Sequence, residues 1–161
     1  MNENIKYLKP KRYGRYRQGY INPKACKKIF SSISDQPIIY RSSYEKCFIE
    51  YCERSGDVLN WGSECIKIPY FFNRKWHIYW PDFLILDSSN KYWIIEIKPL
   101  NQTDVINTIN ESFQIGKIDL KTQTALKNLH KWDAAQKWCQ KKGPNWSFRI
   151  ITENDLNKIK L

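Results

Sequence analysis

Residues 58–98 contain four short runs crowded with Ile, Trp, Tyr and Phe: "VLNW", "ECIKIPYFF", "WHIYWPDFLILD" and "KYWIIEIK". β-Branched and aromatic side chains fit a pleated, half-buried surface, and turn-like segments such as "DSSNK" separate the runs. The stretch predicts a meander of antiparallel strands, and the rest of the chain has to be built around that sheet.

A sheet this apolar needs covering, and the flanking segments have the pattern to do it. In "RSSYEKCFIEYCERSGD", Tyr44, Cys47, Phe48, Tyr51 and Cys52 recur at helical spacing, which predicts an amphipathic helix with one core face. Ser42 followed three residues later by Glu45 is a capping-box pattern, and Gly56 stands where a C-terminal cap belongs. "KTQTALKNLHKWDAAQKWCQKKG" carries Ala125, Leu129, Trp132 and Cys139 at helical spacing and stops at Gly143-Pro144. A strand in "SFRIIT" and a short helix in "ENDLNKIK" close the chain, while Leu100 to Leu120 is polar and shows no pattern beyond one short helical stretch. The order is helix, three or four antiparallel strands, long helix, strand, helix. This is an α/β (α+β) fold with helices packed on the sheet.

With 161 residues, 42% of them hydrophobic, the chain is long enough for one domain with a real core. We place that domain at residues 38–161, behind an N-terminal arm and linker at residues 1–37. No run approaches the roughly 18 apolar residues of a membrane helix, so no membrane partner is expected. "MNENIKYLKPKR" lacks the apolar stretch of a secretory signal, which points to a protein made and used inside a cell. The five cysteines form no Cys-x-x-Cys pair and read as small core residues rather than as disulfide or zinc ligands.

The formal net charge of +11 is unevenly spread: residues 1–28 hold nine Lys/Arg and one acid, whereas residues 29–161 hold 18 and 15. The arm interleaves Lys11, Arg12, Arg15 and Arg17 with Tyr7, Tyr13, Tyr16 and Tyr20. Cations for phosphates and rings for stacking suit a nucleic-acid partner. The same features fit a solubilising tail, or an arm that docks on an acidic protein.

"KYWIIEIKPL" places Glu96 and Lys98 two residues apart at the end of an apolar strand, hence on one face, with Trp93, Ile95 and Ile97 on the other. Asp82 follows Pro81 at the start of the neighbouring strand. It joins their face only if the connecting loop has an odd number of residues or the strands carry a bulge; a four-residue loop turns it away. Converging there, two carboxylates repel each other unless a divalent cation sits between them. Magnesium, with manganese as a substitute, takes hard oxygen ligands and keeps waters that can act as nucleophiles. A lysine beside it can orient or deprotonate such a water, or hold a phosphate as a point charge. On an isolated Glu-x-Lys a surface ion pair explains as much, and Glu45 is equally well explained as its own helix's cap.

Pro81-Asp82 followed by Glu96-Ile97-Lys98, with Glu45 on the preceding helix, resembles the signature of the PD-(D/E)xK nucleases. "IYRSSYEKCFIEYCERSGDVLNWGSECIKIPYF", "PDFLI", "IIEIKP" and "KWDAAQKWCQKKGPNWSFRIITENDL" together resemble the head-completion nucleases of large contractile-tailed phages, over roughly residues 38–156. The resemblance implies a restriction-endonuclease-like core and a metal-dependent DNA nuclease acting once the head is filled and before heads join tails. It also implies double-stranded DNA as substrate, portal or neck proteins as partners, and a location in the host cytoplasm during assembly or in the virion head and neck. Carried over, Asp82 and Glu96 bind the metal, Lys98 assists the water and Glu45 completes the acidic group. Arg41, Lys131 and Gln136 are further phosphate contacts that no motif assigns. Two other readings stay open: a non-enzymatic head or neck component that holds DNA or the portal, and a repair or transposition endonuclease of the Tn7 type.

Overall fold

The computed structural model describes residues 18–30, 37–116 and 118–158. Lys11, Arg12, Arg15 and Arg17, expected to contact nucleic acid, lie outside the described residues. The elements in chain order are β1 (Gly19–Ile21), β2 (Ile38–Tyr40), α1 (Ser43–Arg54), β3 (Val58–Ser63), β4 (Ile68–Phe72), β5 (Lys75–Tyr79) and β6 (Phe83–Asp87). There follow β7 (Tyr92–Ile97), α2 (Val105–Ile115), α3 (Leu120–Lys142), β8 (Trp146–Ile151) and α4 (Glu153–Lys158).

The central sheet has the order β3-β6-β7-β8, antiparallel except that β8 runs parallel to β7. The period-2 alternation of β7 sorts its residues between two layers. Ile95 and Ile97 pack with Phe48, Ile49 and Cys52 of α1 and Leu156 of α4, whereas Ile94 packs with Tyr70, Tyr79 and the α3 residues Ala135 and Cys139. Helices thus cover both faces, as the pattern of the chain predicts.

The meander is less uniform than expected. β4 and β5 pair only with each other, from Ile68 opposite Tyr79 to Phe72 opposite Lys75, and form a separate ribbon against α3. The reason lies in the turn: Asn73 (φ 51°) and Arg74 (φ 59°) are both left-handed, the geometry of a tight two-residue hairpin. "WHIYWPDFLILD" is consequently broken between β5 and β6, where Pro81 has no N–H to continue a ladder.

The ends of the helices also differ in detail. Ser42 caps α1 as predicted, but the helix closes on Ser55, whose N–H bonds to Tyr51 at 2.8 Å, and Gly56 is not left-handed. The unpatterned stretch after Pro99 contains α2, capped by Asp104 and ended by a left-handed Gly116; it buries only Val105 and Ile109. Two apolar contacts in eleven residues are too few to mark a periodic face.

The expected boundary at residue 37 does not separate arm from domain. β1 pairs with β2, Phe30 N–H donates to Trp61 O while Trp61 N–H donates to Lys28 O, and the N–H groups of Lys27 and Lys28 donate to the Glu53 carboxylate. Residues 19–30 are therefore part of the domain's own hydrogen bonding, which local composition does not reveal.

Candidate active site

The β6–β7 loop decides whether the site can form. Asp87 N–H bonds to Lys91 O at 2.9 Å and Asn90 N–H to Asp87 O at 3.0 Å, with Asn90 left-handed at φ 61°. This is a three-residue loop of the type I plus left-handed kind, stitched by Asp87 Oδ1 accepting from Ser89 and Lys91 N–H. The odd length sets Phe83 opposite Ile95 and Leu84 opposite Ile94, and the same register carries Asp82 opposite Glu96. Asp82, Glu96 and Lys98 share one face at one end of the sheet.

Each of these groups is held. Ile97 N–H donates to Asp82 Oδ2 at 2.7 Å, leaving Oδ1 as the open oxygen of that carboxylate. Glu96 is only 2% exposed; its Oε1 lies 2.9 Å from Lys98 Nζ and its Oε2 accepts from the Tyr79 hydroxyl at 2.5 Å. Burial, followed by repulsion from Glu96, pushes the Asp82 carboxyl well above its usual range, against the pull of Lys98. Burial alone would lower the Lys98 ammonium, but the Glu96 and Asp82 carboxylates outweigh it and hold that group above its ordinary value.

Glu45 arrives from the N-terminus of α1 and keeps both of its expected roles in view. Its Oε2 accepts from Arg41 N–H at 2.8 Å and its Oε1 from the Ser42 hydroxyl at 2.9 Å, a capping box displaced one residue outward. Burial raises its carboxyl, and its charge is felt at Asp82 and Lys98. Among the described residues no three Asp, Glu, His or Cys side chains are gathered tightly enough to hold a metal ion, so Glu45 does not join Asp82 and Glu96 as a third member of such a group.

Glu64 and Tyr79 join the site without any sequence signal, whereas Arg41, Lys131 and Gln136 are expected near phosphate. Glu64 follows β3 in a left-handed conformation (φ 45°), donates its N–H to Asp82 O at 3.0 Å and pairs with Arg41 at 2.5 Å. That pair places a carboxylate against the Arg41 charge expected to meet phosphate. Tyr79 reads as an ordinary strand residue, because nothing local shows that its hydroxyl meets Glu96 from another sheet. Lys131 of α3 lies over the Tyr79 ring, 5.2 Å from its centre; burial lowers its ammonium while Glu96 works against that shift. Gln136 is exposed on α3 and makes no such contact.

The donor set fits a hard divalent cation. Two carboxylates side by side, one buried and one with an open oxygen, are relieved of mutual repulsion by positive charge between them, and two carboxylates plus waters are a usual magnesium complement.

The sequence profile of the TnsA-like endonuclease N-terminal family matches residues 55–153, from the end of α1 into the start of α4. The chain belongs to the TnsA-like endonuclease family. It is also 35% identical over 130 residues to the head completion nuclease of Enterobacteria phage T4, covering 76% of this chain and 83% of that protein. The likeness to PD-(D/E)xK nucleases read from Asp82, Glu96 and Lys98 is upheld, and so is the mixed fold on which it rests. The chain is accordingly a nuclease, with nucleic acid as its substrate.

Proposed function

We propose that the protein is a magnesium-dependent DNA nuclease that acts in phage head completion, before heads join tails. The observation that carries the chemistry is the convergence of Asp82, Glu96 and Lys98; the 83% coverage of the T4 head completion nuclease supports the setting. Double-stranded DNA is the substrate, portal or neck proteins are the partners, and the host cytoplasm during assembly, then the head and neck, is the place of action.

Asp82 and Glu96 would hold the cation, Asp82 through its open Oδ1. When bound, magnesium, or manganese in its place, supplies Lewis acidity at the scissile phosphate and a more acidic water. Lys98, firmly protonated beside two carboxylates, orients the attacking water and holds a phosphate oxygen as a point charge. Tyr79 fixes the rotamer of Glu96 by its hydroxyl bond. Lys131 adds positive charge near the same phosphate, and Glu45 sets the field at Asp82 and Lys98. Phosphate contacts position a duplex without reading its sequence, so cleavage is expected to show little sequence preference.

A plasmid-nicking assay tests this. Cleavage should appear with magnesium, vanish with chelator, and be lost in Asp82→Asn and Glu96→Gln proteins that remain folded. Chelator-resistant nicking, or full activity in both variants, overturns the site.

A further inference from the structure

The β4–β5 ribbon has an outer face that the catalytic chemistry does not use. Pairing sets Phe71 opposite Trp76 and Pro69 opposite Ile78, and these side chains point away from the core: Trp76 is 73% exposed, Ile78 53% and Phe71 50%. The Phe71 and Trp76 rings meet edge to face, 5.4 Å between centres. The Lys67 ammonium lies 4.9 Å from the centre of the Trp80 ring, itself 43% exposed. Arg74 and Lys75 stand at the exposed tip, and none of residues 65–80 is acidic. A solvent-facing apolar surface of this kind costs solubility unless something covers it.

We infer that this face is a stacking platform for unpaired nucleotides of the substrate, with Trp76 and Phe71 meeting bases and Lys67, Arg74 and Lys75 meeting phosphates. It rests on the nuclease reading for its double-stranded DNA substrate and adds a structural feature of that substrate: an unpaired or frayed strand of the duplex next to the cleavage point. Rings suited to stacking, interleaved with cations and free of acids, are complementary to a single strand, because every base offers a π-face and every nucleotide a negative charge. A duplex buries its base faces and offers the rings nothing to stack on. Along the chain the ribbon leads into the catalytic strands: Trp80 is two residues before Asp82, and Tyr79, whose side chain lies on the ribbon's inner face, bonds to Glu96.

The test uses the full-length protein in chelator, so that binding is read without cleavage. The probes are an oligodeoxythymidylate of about ten nucleotides, within the usual single-strand site size, and an abasic strand of the same length and charge. Wild-type protein should bind the thymidylate at least tenfold more tightly than the abasic strand. Trp76→Ala should remove roughly tenfold of thymidylate affinity, in the range of one lost stacking contact, and leave abasic affinity unchanged. Trp76→Phe should restore most of it, and Phe71→Ala should repeat the loss. With magnesium, Trp76→Ala should still nick plasmid but no longer favour a frayed end over a blunt duplex. Equal affinity for the two probes, or unchanged thymidylate affinity in Trp76→Ala, overturns the platform while leaving the nuclease reading intact. Self-association that Trp76→Ala abolishes without touching oligonucleotide affinity would assign the face to a second copy and likewise overturn it. Absence of magnesium-dependent nicking in the wild type sinks the nuclease reading without altering the chelator titrations.

Discussion

Asp82 is placed where ionisation works against folding. The Asp82 carboxyl is raised in the folded protein, so the stability it contributes is fully present below the ordinary carboxylate range and is lost as pH rises through the elevated value. Asp87, held down at about 2 by its bonds to Ser89, Trp93 and Lys91 against a burial that would raise it, loses its contribution only in acid and does not mask the effect. In chelator the melting temperature should therefore fall as pH rises from the carboxylate range toward neutrality. Asp82→Asn should flatten that slope and abolish cleavage together, and thermal melts across pH would check it. Tyr79→Phe leaves a buried Glu96 oxygen without its donor, at a cost of about 1–3 kcal/mol, and should lower turnover by releasing the Glu96 rotamer. Glu45 separates into its two roles by substitution. Glu45→Gln keeps an acceptor for the cap and should cut cleavage at least tenfold with little change in melting, whereas Glu45→Ala should also lose about 1 kcal/mol of helix capping. Unchanged turnover in Glu45→Gln would leave that residue a cap alone.

At the scale of elements, the site depends on turns more than on strands. The alternation in β7 is local, so Glu96 and Lys98 sharing a face was legible from their spacing. The position of Asp82 was not, because it turns on whether the loop holds three residues or four. That choice belongs to Asn90, an L-residue in a left-handed conformation that asparagine tolerates and most side chains resist. Asn90→Ala should cost about 1 kcal/mol by chemical denaturation, and Asn90→Gly should be neutral or stabilising. A denaturation midpoint unchanged in Asn90→Ala would show that the strands, not the turn, impose the register. The β4–β5 turn hid in the same way: Asn-Arg lacks the glycine that usually announces a two-residue hairpin, so the ribbon and the catalytic sheet read as one meander.

Over the whole molecule, the basic excess and the folded domain overlap rather than abut. Residues 1–17 carry six Lys/Arg and one acid, while Ile21, Cys26 and Ile29 pack against the core beneath α1. Removal of residues 1–17 should leave the melting temperature and cleavage at saturating DNA intact, while the salt dependence of DNA binding flattens by several ion equivalents. Removal of residues 1–28 should in addition lower the melting temperature, since it strips β1 from β2. An identical salt slope before and after the shorter deletion would take the arm away from DNA. What depends on near neighbours can be read along the chain: the amphipathic faces of α1 and α3, the strand character of residues 58–98, and the shared face of Glu96 and Lys98. Packing in three dimensions is what turns Asp82 inward, brings Tyr79 to Glu96 from another sheet with Lys131 over its ring, and sets Glu64 against Arg41. Those contacts join residues far apart in the chain, and their geometry follows from loop length and packing angle, which no local pattern of side chains encodes.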